Sequence, residues 1–375
     1  MLAAGSAAQA SFSALTLGLP AITPALRDAY DLDLKGVGLL LAAEWVGLTV
    51  ALLPWGLAAD RIGERWALTS GLAGCGLALV ALSFTHSFAA AAALLALAGA
   101  VGASVQSASG RAVMGWFAPS ERGLAFGVRQ MAVPLGGFVG ALTLPPLAHA
   151  HGVGAAFLAL GLFCIAMATV GGLVVRDLPK EGVEPEHVEW TLRDSRLWLL
   201  CTGSGFYVTT QIVLFSFLVL FLHDERGVSP SRAAGALALV QLLAVGIRVG
   251  AGRWSDVIGS RLRPLRLIGL ASFVTLGAAT AVLGAPLALL VPLLVAAGTV
   301  SAAWNGLSFL AAAELAGRAR SGAAIGFQQT VLSVAGVFVP PAFAAIVQAS
   351  SWRLGFSLAA LAPLAGWVLL GRVRV

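Results

Sequence analysis

Apolar runs, interrupted by short clusters of Gly, Pro, Asp, Ser and Arg, follow one another along the whole chain. Each run is close to the ~20 residues that carry a helix across a bilayer. The pattern predicts twelve spans: 4–26, 35–58, 66–84, 88–117, 121–146 and 153–175 in the first half, then 195–222, 230–254, 265–283, 286–315, 322–348 and 352–371 in the second. Between the ninth and tenth only LGAPL, Leu283 to Leu287, marks a turn. Backbone groups in hydrocarbon have to be paired within their own segment, so the expected fold is an all-α membrane protein, a helical bundle rather than a sheet.

Composition supports lipid as the solvent. Hydrophobic residues are 59% of the 375, charged residues 11%, and the mean hydropathy is +0.91, whereas a soluble domain carries about a quarter charged residues. A net charge of +6 and a pI near 10.0 raise the possibility of nucleic acid, but the placement of charge answers it. The termini and the even-to-odd connections hold fifteen Lys and Arg, while the opposite side holds five, Arg27, Lys35, Arg226, Arg232 and Arg353. By the positive-inside rule both termini are cytoplasmic, and no nucleic-acid partner is expected. No basic residue precedes Arg27, so the first span lacks a positive flank and the start reads as truncated. The same feature argues against a cleaved signal peptide. Cys75, Cys164 and Cys201 fall inside spans as small apolar residues, and the five histidines sit in predicted loops with no metal-ligand spacing.

Two charged knots stand out. GLAADRIGERW, Gly56 to Trp66, and GRWSDVIGSR, Gly252 to Arg261, share the frame Gly-x-x-x-Asp-x-x-Gly-x-Arg at an offset of 256 − 60 = 196 residues. RGLAFGVRQ, Arg122 to Gln130, echoes SGAAIGFQQ, Ser321 to Gln329, and Pro145-Pro146 is matched by Pro340-Pro341. Two six-helix halves follow, 1–176 and 195–375, joined by a polar linker over 177–194 that reads as cytoplasmic. The duplicated frame in a chain of twelve predicted helices resembles the major facilitator superfamily of secondary transporters, over essentially the whole chain. RAVMG, Arg111 to Gly115, fits an Arg-x-x-x-Gly element of that family, and the second knot departs from its pattern with Val257 where a basic residue is usual.

In transporters of this kind the knot latches the two halves on the cytoplasmic side. The resemblance thus implies a cytoplasmic gate of Gly56, Asp60, Arg61, Gly63 and Arg65 with Gly252, Asp256, Gly259 and Arg261, Asp60 engaging the start of span eleven and Asp256 that of span five. The residue types suit the role. Gly56 would admit a close backbone and Gly63 a tight turn, Asp60 would face a positive helix end, and Arg61 or Arg65 would pair with an acid or reach headgroups. The alternative is a pair of short polar loops that only obey the positive-inside rule.

The three remaining arginines, Arg111, Arg129 and Arg248, lie inside spans four, five and eight, where charge is costly and marks candidate substrate contacts. The alternative for Arg111 and Arg248 is snorkelling or interhelical pairing. Arg111 and Arg129 are each about 9 to 12 Å from the cytoplasmic helix ends and could share one positive pocket. The repeat aligns Arg129 with Gln328, and an Arg facing a Gln across a cavity suits a carboxylate or other small oxyanion bound in bidentate fashion. Gln106, Tyr207, Gln211, Trp304 and Asn305 are on spans that line the cavity in the resembling family, or serve as helix glue. Glu44 and Glu314 are acids within spans and the proton-coupling candidates. Glu44 has an internal ion pair or hydrogen bond as its alternative, and Glu314 pairing with Arg318 or an arginine of the second knot.

The expected function is secondary active transport across the inner membrane by alternating access, moving a small organic anion in symport with protons. The partners are that small molecule and lipid; the chain is expected as a monomer, with no cofactor and no metal. The other transporter reading is a proton-coupled exporter of hydrophobic drugs. Such exporters resemble one another in Gly-Pro-x-x-Gly-Gly in span five, and VPLGG, Val133 to Gly137, is one residue short and lacks the leading Gly. An enzyme is not expected: a membrane hydrolase needs a nucleophile and base or clustered His and acids, and no His lies in the predicted spans.

Overall fold

The structure, a computed structural model, describes residues 2–107, 122–175, 194–317 and 321–373. Its elements are α1 (Leu2–Thr16), a 3-10 turn (Leu19–Ile22), α2 (Thr23–Tyr30), α3 (Leu34–Ile62), α4 (Glu64–Leu82), α5 (Phe88–Ser107), α6 (Arg122–Val174), α7 (Ser195–Leu220) with a π turn (Phe221–Glu225), α8 (Pro230–Ile258), α9 (Leu262–Ala281), α10 (Leu287–Ser301), α11 (Asn305–Ala316), α12 (Ser321–Ala349) and α13 (Trp352–Leu370). Among the described residues ten segments are long and apolar enough to cross a membrane. Their outer faces are greasy: Val50, Leu53 and Leu173 are 72%, 70% and 76% exposed, an arrangement that suits lipid contact and not water.

Local chemistry explains where this count departs from twelve. The predicted first span, 4–26, is broken. Pro20 has no N–H to give the carbonyl of Thr16, so α1 stops there and the chain passes through the 3-10 turn before Thr23, whose hydroxyl caps Pro20 O at 2.9 Å, starts α2. Predicted spans five and six run together as α6, meeting at Gly152, whose φ of 81° only glycine adopts without strain. That places His149 and His151 on the helix rather than in a loop. The predicted tenth span, 286–315, remains one of the ten apolar segments, although a turn at Ala302–Trp304 divides it into α10 and α11.

The joint between α3 and α4 is one residue long. Asp33 caps the start of α3 by accepting the Gly36 N–H at 2.7 Å. The helix then runs 29 residues, about 43 Å at 1.5 Å each, well past the ~30 Å of a hydrocarbon core. Gly63, at φ 90°, ends it and opens α4. Within the first half α3 packs on α5, α4 on α5, and α1 and α4 on α6; within the second, α13 packs on α7 and α9. The halves meet chiefly along α6 against α8 and α3 against α12.

Prolines inside these helices each leave a carbonyl four residues back without its donor. In α13, Pro363 frees Ala359 O, and Thr210 of α7 donates its hydroxyl to that oxygen at 2.7 Å. Both Thr210 and Ala359 are buried, at 1% and 4% exposure, so no water replaces the bond. Thr210→Val should therefore destabilise the fold by about 1–2 kcal/mol, and Pro363→Ala, which restores the intrahelical N–H, should recover part of the loss. Thermal unfolding in detergent checks both; equal stability of wild type and Thr210→Val would remove this pairing from the account.

Candidate functional site

A cavity of about 90 Å³ lies between the halves, walled by α1, α3, α5 and α6 on one side and by α7, α8, α11 and α12 on the other. Its polar wall is made of Arg248, Gln211, Asn305, Gln130, Gln329 and Gln106, with Ser13, Thr16 and Ser216. No carboxylate lines it among the described residues.

Arg248 is 2% exposed and its bonds go to main chain. Nη1 donates to Gln130 O at 2.8 Å and Nε to Ala302 O at 3.0 Å. Both acceptors have a reason to be open. Pro134 deprives Gln130 O of its intrahelical donor, and the turn at Ala302–Trp304 interrupts the ladder at Ala302. Asn305 Nδ2 donates to the same Ala302 O at 3.3 Å and to Gln211 Oε1 at 3.0 Å. One chain of hydrogen bonds thus runs from α7 through the break between α10 and α11, across α8, to α6 of the first half.

Other predicted contacts lie elsewhere. Tyr207 is absent from the wall: its ring fills the space over Gly269 and Gly366, packs edge-on to Trp304 and is 2% exposed. Gln328 is fully buried in the second half, donating to Ser308, which meets Ser204 at 2.5 Å. The repeat-related pair that does face the cavity is one residue further on, Gln130 and Gln329, at the offset 329 − 130 = 199 already carried by the matched segments. Glu44 sits behind the wall, 2% exposed, accepting the Thr16 hydroxyl at 2.5 Å, while its neighbour Trp45 lines the cavity. Arg111 lies outside the described residues, as do the side chains of Arg129 and Asp60.

Where α2, α3, α7 and α12 end on the sparsely basic face, the halves are clamped. Arg27 pairs with Asp224, and Gln348 Nε2 donates to Asp33 Oδ2 at 2.9 Å. The Asp33 carboxyl is held below the usual carboxylate range, first by the Gly36 N–H and then by Gln348. A lowered value means that this contact is lost only as pH falls through it. Just inside, α3 and α12 touch so closely that a Cβ on Gly38 would lie 2.9 Å from Pro340 O.

The profile of the Major Facilitator Superfamily matches residues 4–340. The chain belongs to the major facilitator superfamily. It is 34% identical over 352 residues, 93% of this chain and 79% of the relative, to an uncharacterized MFS-type transporter of Mycobacterium tuberculosis. A hexuronate transporter of Bacillus subtilis is 24% identical over 231 residues, 58% of this chain and 54% of that protein. Among solved structures, the bacterial homolog of the human lysosomal transporter Spinster, in an inward-facing and occupied conformation, has a TM-score of 0.72 at 15% identity, over 99% of this chain and 94% of that one.

In this superfamily chain the two knots are built differently. Arg261 joins three helix ends of the second half: its Nη1 reaches Asp256 at 2.5 Å and Ser255 at 2.9 Å, and its Nη2 reaches Glu314 at 3.2 Å. Gly259, at φ 62°, makes the left-handed cap of α8 that turns the chain toward Arg261, and Gly252 is buried. Glu314 is therefore an ion-pair partner of the second knot. In the first knot Gly63 makes the turn, Arg61 is exposed, and the Arg65 guanidinium lies 5.7 Å from the centre of the Trp66 ring. Among the described residues a Cβ on Gly56 would meet nothing within 4 Å. Because the Asp256 carboxyl is only 2% exposed, Arg261→Ala should lower stability by about 3 kcal/mol. Arg261→Lys, which cannot fork between two acids, should lie between; melting of the three purified proteins measures the order.

Proposed function

We propose that the chain is a secondary active transporter that moves a small organic anion by alternating access. What carries this reading is the central cavity, where the wall offers a guanidinium and a ring of amides and the described residues add no carboxylate. Such a lining recognises an oxyanion by charge and by N–H donors together. The small volume suits a metabolite. The Bacillus relative's name, a hexuronate transporter, supports a carboxylated solute of this size.

We take the fold as twelve crossings in two six-helix bundles, 1–176 and 195–375, with 177–194 as the cytoplasmic linker. The broken α1–α2 segment counts as one crossing and the two limbs of α6 as two. The distribution of basic residues supports cytoplasmic termini in an inner membrane, and a central cavity walled by both halves of the same chain supports a working monomer. On that orientation the clamped face is the outer one. Arg129 and Arg111 join Arg248 as anion contacts, and the two knots form the cytoplasmic gate.

Glu44 is the proposed proton carrier. Its carboxyl has one hydroxyl partner, Thr16, which itself lines the cavity. A single hydroxyl gives a buried carboxylate little compensation, so its proton is exchanged through the cavity when water or substrate enters.

Ligand-induced stabilisation tests the substrate class. Among hexuronates, other carboxylates, inorganic oxyanions, neutral sugars, amino acids and lipophilic cations, carboxylates should stabilise the purified protein, by roughly 2.7 kcal/mol at a hundredfold excess over Kd. Arg129→Gln should abolish the shift. Stabilisation by lipophilic cations in both proteins would replace this reading with drug export. In proteoliposomes, Glu44→Gln should keep substrate exchange and lose acceleration by an imposed proton gradient; an unchanged response to the gradient would dismiss Glu44.

A further inference from the structure

The helices α6 and α8 cross the boundary between the halves in a fixed antiparallel register. Arg248 of α8 meets Gln130 of α6, and Gln241, seven residues earlier on α8, meets Gly137, seven residues later on α6. Seven residues are two turns, so both pairs sit on the same seam. The two contacts have opposite character. Arg248 is paired, answering a carbonyl that Pro134 leaves without a donor. Gln241 is fully buried against Gly137, and neither its Nε2 nor its Oε1 has a partner among the described residues.

We propose that Arg248 and Gln241 set the transport equilibrium from opposite sides, Arg248 holding the closed seam and Gln241 loading it. The Arg248 bond to Ala302 O stays within the second half and moves with it, so only the bond to Gln130 O depends on how the halves are placed. Parting α6 from α8 strands that carbonyl and releases the guanidinium toward the cavity. The same motion lets water or solute reach the Gln241 amide, which closure leaves without hydrogen bonds. An anion that takes the freed guanidinium compensates for the lost carbonyl, which links occupancy to the motion. The proposal rests on the alternating-access reading above and adds the residues that bias it.

The test uses spin labels at Asp28→Cys and Glu225→Cys, both exposed and next to the Arg27–Asp224 pair. The full-length chain carries them with Cys75, Cys164 and Cys201 replaced by Ala, and pulsed dipolar spectroscopy gives the distance distribution. Relative to that background, Arg248→Met should shift the short-to-long ratio roughly tenfold toward long, and Gln241→Leu, of similar size without polar atoms, roughly tenfold toward short. Pro134→Ala, which returns an intrahelical N–H to Gln130 O, should shift it toward long, and should add nothing to Arg248→Met in the double variant. If Arg248→Met does not fold, Gln241→Leu and Pro134→Ala still carry opposite signs. Two distances in the background with no change in Gln241→Leu and Pro134→Ala, or a shift of the same sign in both, overturns the proposal while leaving alternating access intact. A single short distance in every variant, with and without galacturonate, overturns alternating access and this proposal with it.

Discussion

A backbone carbonyl in hydrocarbon that loses its helical partner has to find another, because no water is at hand. Most of what is irregular in this protein follows from that constraint. Pro20, Pro134 and Pro363 each remove a donor, and the turn at Ala302–Trp304 interrupts a ladder in mid-span. The first is resolved by changing helix type. The others are answered by side chains from another helix, Arg248 and Thr210. Irregular backbone thus becomes the place where helices are tied together, and one such tie crosses from one half of the chain to the other.

The same constraint shapes the site. A buried arginine without an acid beside it is expensive unless several acceptors surround it, and here main-chain oxygens supply them. Carbonyls hold the guanidinium in place without neutralising it, so its charge remains available to the cavity. A carboxylate partner would have cancelled that charge. Gln211 and Asn305 extend the arrangement with groups that also lack net charge, which keeps the potential of the wall positive.

Unbroken apolar runs made the helices legible, because hydrocarbon demands apolar side chains over every turn of a span. It was less informative where one residue changes the answer. Gln328 and Gln329 differ by about 100° around the helix, and the match between the repeated segments fits either until neighbouring helices are in view. Tyr207 was a reasonable wall residue by type, but only the two glycines facing it, on α9 and α13, reveal where its ring goes. The partners of Arg248 carry no side-chain signature, since both are carbonyls. Pro134 was the clue, readable as a missing N–H rather than as part of a degraded exporter element. Glu44 and Thr16 are 28 residues apart on different helices, a pairing that spacing does not announce.

The joints at Gly63 and Gly152 have no slack, each turning the chain between two long helices with one residue outside helical geometry. An insertion at either joint would rotate the next helix by about 100°, carrying lipid-facing side chains toward the interior and core side chains toward lipid. Chain length at these two points is therefore a fixed quantity of the architecture, and divergence in loop length among related proteins has to accumulate elsewhere.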